Sequence, residues 1–173
     1  MRLRATILLV LWTAWTAGCG YQLVRYRDAL GDARSVAISG VRNETREPGV
    51  DSLVTDALTH EFQRRGALRL LEQADAADLV ISGSVDRLET RSLSLSPIQF
   101  TLEYEVTLGL ELEVRRRDGS LVPIDRRGLA ETEIYLASAD VEAARKNRRE
   151  ALRRLSSLLA GRVHDALFER LAP

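Results

Sequence analysis

From position 100 to position 114 apolar and polar residues alternate without a break. Phe100, Leu102, Tyr104, Val106, Leu108, Leu110, Leu112 and Val114 are apolar; Thr101, Glu103, Glu105, Thr107, Gly109, Glu111 and Glu113 stand between them. A period of two sustained this long predicts one extended strand with a buried face and an acidic, wetted face. At roughly 3.3 Å per residue the strand would reach about 50 Å. Ordinary strands have only about 5–6 residues, so the sheet is expected to be long and narrow. Arg115-Arg116-Arg117-Asp118-Gly119 reads as a hairpin tip with Asp-Gly as the turn, and a return strand of weaker pattern falls between Val122 and Leu136.

Upstream, Ser35-Val36-Ala37-Ile38-Ser39-Gly40-Val41 alternates as a first strand, and Arg42 to Gly49 is a turn-rich connection. Val50, Leu53, Val54, Ala57, Leu58 and Phe62 then recur at helical spacing until Gly66 closes the helix. Leu68, Leu70 and Leu71 suggest a short strand, and Leu79, Ile81, Gly83 and Val85 line one face of another. Ser138 or Asp140 can cap a final helix running to about Leu171, with Val141, Ala144, Ala151, Leu152, Leu155, Leu159, Val163, Ala166 and Leu167 as its apolar stripe. About 30 residues at ~1.5 Å each give about 45 Å, so helix and long strand match in length. Gly161 inside this helix costs about 1 kcal/mol relative to alanine, for which a close crossing over the sheet would be a reason. The expected fold is α+β, two helices on one face of a mostly antiparallel four-stranded sheet with long strands.

The chain opens differently. Arg2 and Arg4 precede Ala5 to Trp15, an uncharged run too short to span a bilayer, which needs about 20 apolar residues. Thr16-Ala17-Gly18-Cys19 follows, with the only cysteine of the sequence. Small residues before a thiol at the end of a short apolar leader predict a lipoprotein signal peptide, residues 1–18, cleaved ahead of a lipidated Cys19. Thr16 stands where such boxes usually carry leucine. Residues 19–34 would be the lipidated N-terminus and spacer, and residues 35–173 one domain.

Charge narrows the function classes. Cleavage would leave 155 residues with 23 basic against 25 acidic side chains, a net of −2, which argues against a nucleic-acid binder. Only Lys146 represents lysine against 24 arginines, a bias attributed at this level to genomic base composition. No cysteine would remain for a disulfide. His60 and His164 lack a ligand partner at helical spacing and read as surface or half-buried helical residues, so no metal site is expected. Gly83-Ser84-Val85-Asp86 lacks the nucleophile elbow, and the glycines form no phosphate-cradling loop. No catalytic residue or cofactor is expected. The arginines at 115–117 are candidates for contact with anionic lipid or phosphate, or a solubilising tip.

Taken in order, these pieces resemble a known family, the lipopolysaccharide-assembly lipoproteins called LptE. The resemblance is carried by Cys19-Gly20-Tyr21-Gln22-Leu23, Val41-Arg42-Asn43-Glu44-Thr45, the helix Leu53 to Gly66, Leu102-Glu103-Tyr104-Glu105-Val106, and Asn147-Arg148-Arg149-Glu150-Ala151-Leu152. It implies the fold inferred above and an outer-membrane, lipid-anchored domain facing the periplasm. It also implies a plug inside the lumen of the LptD β-barrel, which delivers lipopolysaccharide to the outer leaflet. Gly20, where aspartate would favour inner-membrane retention, agrees with outer-membrane sorting. Arg145 falls near where relatives place a basic residue toward lipopolysaccharide, whereas Ser92 to Gln99, where some have another, holds none. Other accessory lipoproteins, such as a peptidoglycan-synthase activator or a secretion accessory, share the strand-helix-strand start and form the alternative.

Each buried methylene of an acyl chain contributes about 0.8 kcal/mol to membrane binding. Cys19→Ala is therefore expected to move the chain from the membrane to the soluble fraction. Mass spectrometry of the membrane-bound protein checks this directly, because an unmodified Cys19 there would exclude the anchor.

Overall fold

The computed structural model describes residues 31–95, 101–125 and 128–171. Cys19, the leader, most of the spacer, Ser96 to Gln99 and Phe100 lie outside the described residues. In chain order the elements are β1 (Ser35–Asn43), α1 (Val50–Arg65), β2 (Arg69–Leu71), a 3₁₀ turn (Ala74–Ala76), β3 (Leu79–Leu95), β4 (Thr101–Arg116), β5 (Leu121–Val122), β6 (Ala130–Leu136) and α2 (Val141–Leu171).

The sheet runs β2-β1-β3-β4-β5, with β6 also paired to β4. β1 is parallel to both of its neighbours, and the remaining pairs are antiparallel. The α+β architecture with two helices is as expected, but the sheet is mixed and six-stranded instead of four-stranded. A parallel pair needs a crossover connection, and α1 supplies it between β1 and β2. Because β2 is only three residues long, the chain returns to β3 through the single Ala74–Ala76 turn. The expected return strand is split into β5 and β6, with Leu129 between them accepting a backbone bond from Leu110 at 2.9 Å.

β3 and β4 form the spine, registered from Leu79 opposite Arg116 to Leu95 opposite Thr101. Val106, Leu108, Leu110, Leu112 and Val114 are all buried, as the alternation demands. The register shifts between Val85 and Arg87 and between Ser92 and Ser94, where β3 carries the extra residue, and once more between Ser94 and Leu95, where β4 carries it at Leu102; from Glu103 to Arg116 β4 keeps its faces. At Gly83 a Cβ would collide with the Glu111 carbonyl and the Leu112 side chain, so the close approach there needs glycine. Leu102 departs from the pattern at 50% exposure, because α2 begins only at Val141 and leaves this end of the inner face uncovered. The turn after β4 closes by a Gly119 N–H bond to the Arg116 carbonyl at 2.9 Å, with Gly119 at φ 86. Arg115 and Arg116 therefore belong to the strand, not the tip.

One continuous core joins the sheet to both helices. α1 ends at Gly66, in the left-handed region at φ 62, whose N–H reaches the Phe62 carbonyl. Asp140 caps α2: its Oδ1 accepts the Ala143 N–H at 2.8 Å. The helices run side by side in the same direction, with Phe62 beside His164 and Arg65 paired to Asp165 at 3.2 Å. His60 is exposed, but His164 is fully buried, its ring stacked on Phe168 at 4.2 Å. Helical position alone did not reveal that second aromatic layer. Burial holds the His164 pKa below the usual imidazole range, against the opposing hydrogen bond to Asp165.

Gly161 faces α1 rather than the sheet. A Cβ there would meet only Glu61 Oε1, at 3.9 Å, an ordinary contact. The close-crossing explanation is thus corrected, and the backbone freedom of this glycine is an unopposed cost. Gly161→Ala is expected to raise stability by about 0.5–1 kcal/mol, read as a higher denaturant midpoint with an unchanged slope; a lower midpoint would show that the helices need the gap.

Candidate functional site

The candidate arginines fall at opposite ends of the sheet. Arg115 and Arg116 face Val80 and Leu79 across the ladder, at the end where the chain enters β1. Arg115 pairs with Glu113 at 2.6 Å, both side chains well exposed. Arg117 is a bracket. Its guanidinium meets Asp78 Oδ1 at 3.1 Å and donates to the Ala76 carbonyl at 2.6 Å, while its backbone N–H reaches the Asp78 carbonyl at 3.0 Å. The other Asp78 oxygen accepts from the Ser35 hydroxyl at 2.7 Å and from the Arg34 and Ser35 N–H groups at 2.9 and 3.0 Å. Those bonds, Ser35 first, hold the Asp78 carboxyl below the usual range. Arg117 thus ties the hairpin to the start of β1, with its side chain still 62% exposed.

Arg145 sits in the first turns of α2, its side chain 72% exposed and paired to Glu142 at 2.8 Å. Fourteen residues of β4 separate Leu102, beside Arg145, from Arg116, or about 45 Å at strand rise. Arg145 and the triplet therefore cannot form one site.

What Arg145 does border is a groove of about 970 Å³ on the uncovered end of the inner face. Leu102, Tyr104 and Tyr135 form its floor; Val141, Ala144, Arg145 and Arg148 form the α2 wall. Tyr104 and Tyr135, opposite each other across the β4–β6 ladder, stack at 5.4 Å between centroids. Arg148 locks the wall. It donates to Glu47 Oε2 at 2.7 Å, to Thr90 Oγ1 at 3.0 Å and to the Tyr135 hydroxyl at 3.1 Å. The Glu47 bond, outweighing burial, raises its pKa further. Glu47 is itself placed by the β1–α1 loop, where Asn43 Oδ1 accepts from the Thr45 N–H and hydroxyl and Asn43 Nδ2 donates to the Glu47 carbonyl at 2.7 Å. A mostly apolar floor with one exposed arginine, Arg145, at its rim suits an amphiphile with an anionic head that displaces Glu142 from it. Among the described residues no cluster of His, Cys, Asp or Glu could hold a metal ion, and no helix is long and apolar enough to cross a membrane.

Sequence reasoning named Arg145 but missed the rest of the groove. Arg148 stood in a quoted stretch without a role, and its partner Glu47 lies 101 residues away, a separation no local period encodes.

The fold is one found among bacterial lipoproteins. Rare lipoprotein B from Shewanella oneidensis superposes with a TM-score of 0.53 at 18% identity, over 79% of this chain and 95% of that one. Lipoprotein B from Nitrosomonas europaea gives 0.58 at 15% identity, over 87% and 92%. A lipoprotein from Caulobacter crescentus gives 0.53 at 14%, over 76% and 89%. No curated protein matches significantly by sequence. The family model for lipopolysaccharide assembly, LptE, matches residues 33–167, and the chain belongs to that family.

The groove yields a contrast between its two arginines. Arg148→Ala should cost about 2–3 kcal/mol, since it strands partly buried Glu47 and Tyr135 groups. Arg145→Ala should change stability by less than about 0.5 kcal/mol, as an exposed pair contributes little. Equal shifts in the unfolding midpoint would contradict this division between lock and rim.

Proposed function

We propose that this chain is an outer-membrane lipoprotein, anchored through Cys19, that plugs an LptD-type β-barrel and helps it deliver lipopolysaccharide to the outer leaflet. On this reading it binds and positions; it catalyses no reaction and uses no cofactor. Family membership supports a lipopolysaccharide-assembly role in general, and the observation that carries the plug is the sheet's outer face. Opposite the helices, Glu103, Glu105, Thr107, Glu111, Glu113 and Arg115 run along β4, with Thr132 of β6 bonded to Thr107 at 2.9 Å. A long polar face left bare by its own helices matches the polar interior of a large barrel. The acyl anchor would hold the domain beside the barrel at high effective concentration. The groove below Arg145 would then meet lipopolysaccharide, whose phosphates and acyl chains suit its rim and floor.

The test separates anchor from plug. Residues 20–173 without lipid should still co-purify with the barrel from detergent extracts. Arg115 and Arg116 changed together to Glu, with Arg117 left to hold Asp78, should fold normally. If this end enters the barrel, co-purification should fall at least about tenfold, about 1.4 kcal/mol in binding, and surface lipopolysaccharide should drop. Unchanged association would remove these two arginines from the interface, and failure of the unaltered domain to bind any barrel would remove the plug itself.

A further inference from the structure

The start of α2, from Val141 to Glu150, buries no side chain; burial begins at Ala151 and recurs from there to Leu171. None of those first residues belongs to the core or packs against it. Roughly three turns of helix therefore stand against the sheet without apolar support. A helix this short is marginal by itself in water, because ordering its backbone costs entropy that packing must offset. Its own fastenings are weak. Asp140 caps the first turn, and Arg145 pairs with Glu142 where both side chains are well exposed.

Among the described residues, only Asn147 and Arg148 of this stretch bond their side chains to another element. Asn147 Nδ2 donates to the Leu136 carbonyl at 3.0 Å, at the last residue of β6. Arg148 does more. Its Nε and Nη2 close a fork on Glu47 Oε2 at 3.2 and 2.7 Å, while Nη1 donates to Thr90 and Tyr135. One guanidinium thus fastens the start of α2 to the β1–α1 loop, to β3 and to β6. Past Glu150 the attachment changes in kind, since Ala151, Leu152 and Leu155 enter the core. One half of the helix is held by burial and the other chiefly by a single cation. A stretch with few buried contacts opens at lower free energy than the core beside it.

We propose that the first three turns of α2 are an openable wall of the groove and that Arg148 is its latch. When the guanidinium leaves Glu47, Thr90 and Tyr135, residues 141–150 unwind back to Ala151. Opening takes Val141, Ala144, Arg145 and Arg148 away from one side of the groove and uncovers Tyr135, which is 8% exposed while the latch is closed. The groove then admits an occupant broader than its closed width, and the core from Ala151 onward is left intact. The inference rests on the packing of α2 alone, whatever the occupant.

Amide hydrogen exchange of the full chain in detergent, followed at rising sub-denaturing urea, tests it. In the wild type, the amides of Arg145 to Glu150 should exchange at least about tenfold faster than those of Leu155 to Leu167. They should also respond little to urea, because local opening exposes little surface. Arg148→Ala should speed exchange at 145–150 at least about tenfold more. Arg117→Ala removes a guanidinium bracket at the other end, which is the same whether the wall is open or closed, and should leave those amides unchanged. Glu47→Gln weakens the latch while keeping its shape, should act as Arg148→Ala does to a smaller degree, and serves if that variant fails to fold. One exchange rate and one urea response along the whole of α2 would make the helix a single unit and overturn the wall. Fast exchange at 145–150 that the Arg148 and Glu47 variants leave unaltered would mean a frayed end without a latch, and would overturn the proposal as well.

Discussion

The pairing of β3 with β4 is the constraint on which the other elements depend. Its ladder extends from Leu79 and Arg116 to Leu95 and Thr101, and β1 and β6 add to its two sides at different heights. Truncating a buried leucine in such a core costs about 2–5 kcal/mol, and Leu108, Leu110 and Leu112 stand in succession along one strand face. Along the glutamate-bearing length of β4 the irregularities lie on β3, at Asp86 and Leu93, where the extra residue bends the strand without turning β4 over; the one on β4 falls at its start, at Leu102. A one-residue slip in the middle of β4 would have carried its glutamates into the core. The length of α2 follows from the same ladder, since 31 helical residues are needed to cover what β4 exposes. The groove is what that helix leaves bare.

Arginine has a second use in this structure beyond any bias of base composition. Arg117 joins the hairpin to β1 through Asp78, Arg148 joins α2 to the β1–α1 loop through Glu47, and Arg154 and Arg162 join α2 to β6. Burial alone would raise the Glu61 pKa, but hydrogen bonds from Arg64 and Arg65 outweigh it and lower the net value. A planar guanidinium with five donors can bond two or three acceptors in fixed directions, which an ammonium cannot. Exposed pairs such as Arg145 with Glu142 add little by comparison.

How much of this was legible in the chain depends on the range of the signal. The period of two at β4, the helical stripe of α2 and the glycine closing α1 are local, and each element stands where its pattern placed it. The parallel setting of β1 depends on where a crossover lands, and the six-strand count depends on β5, two residues long. The aromatic stack of Phe62, His164 and Phe168 needs two helices in register. The Arg148–Glu47 bond spans 101 positions. For the site, Arg145 was visible because the family resemblance points to it, whereas Tyr104 was one apolar position of the alternation and Tyr135 lay within the weakly patterned return strand. The unequal lengths of helix and sheet make them the floor of a groove.

The domain also behaves as a ruler. The chain enters at Ser35, beside Asp78 and Arg117, while the groove lies at the far end of the same strands. The interval between them is written in residues, about 3.3 Å for each, and hydrogen bonds keep it from stretching. Two residues added to β3 and to β4 would carry the groove about 7 Å farther from the chain's entry and keep every face as it is. One residue added to each would turn the tyrosines toward the glutamates' side. Without a further bulge, the gap between entry point and groove therefore changes only in even steps, taken on both strands together.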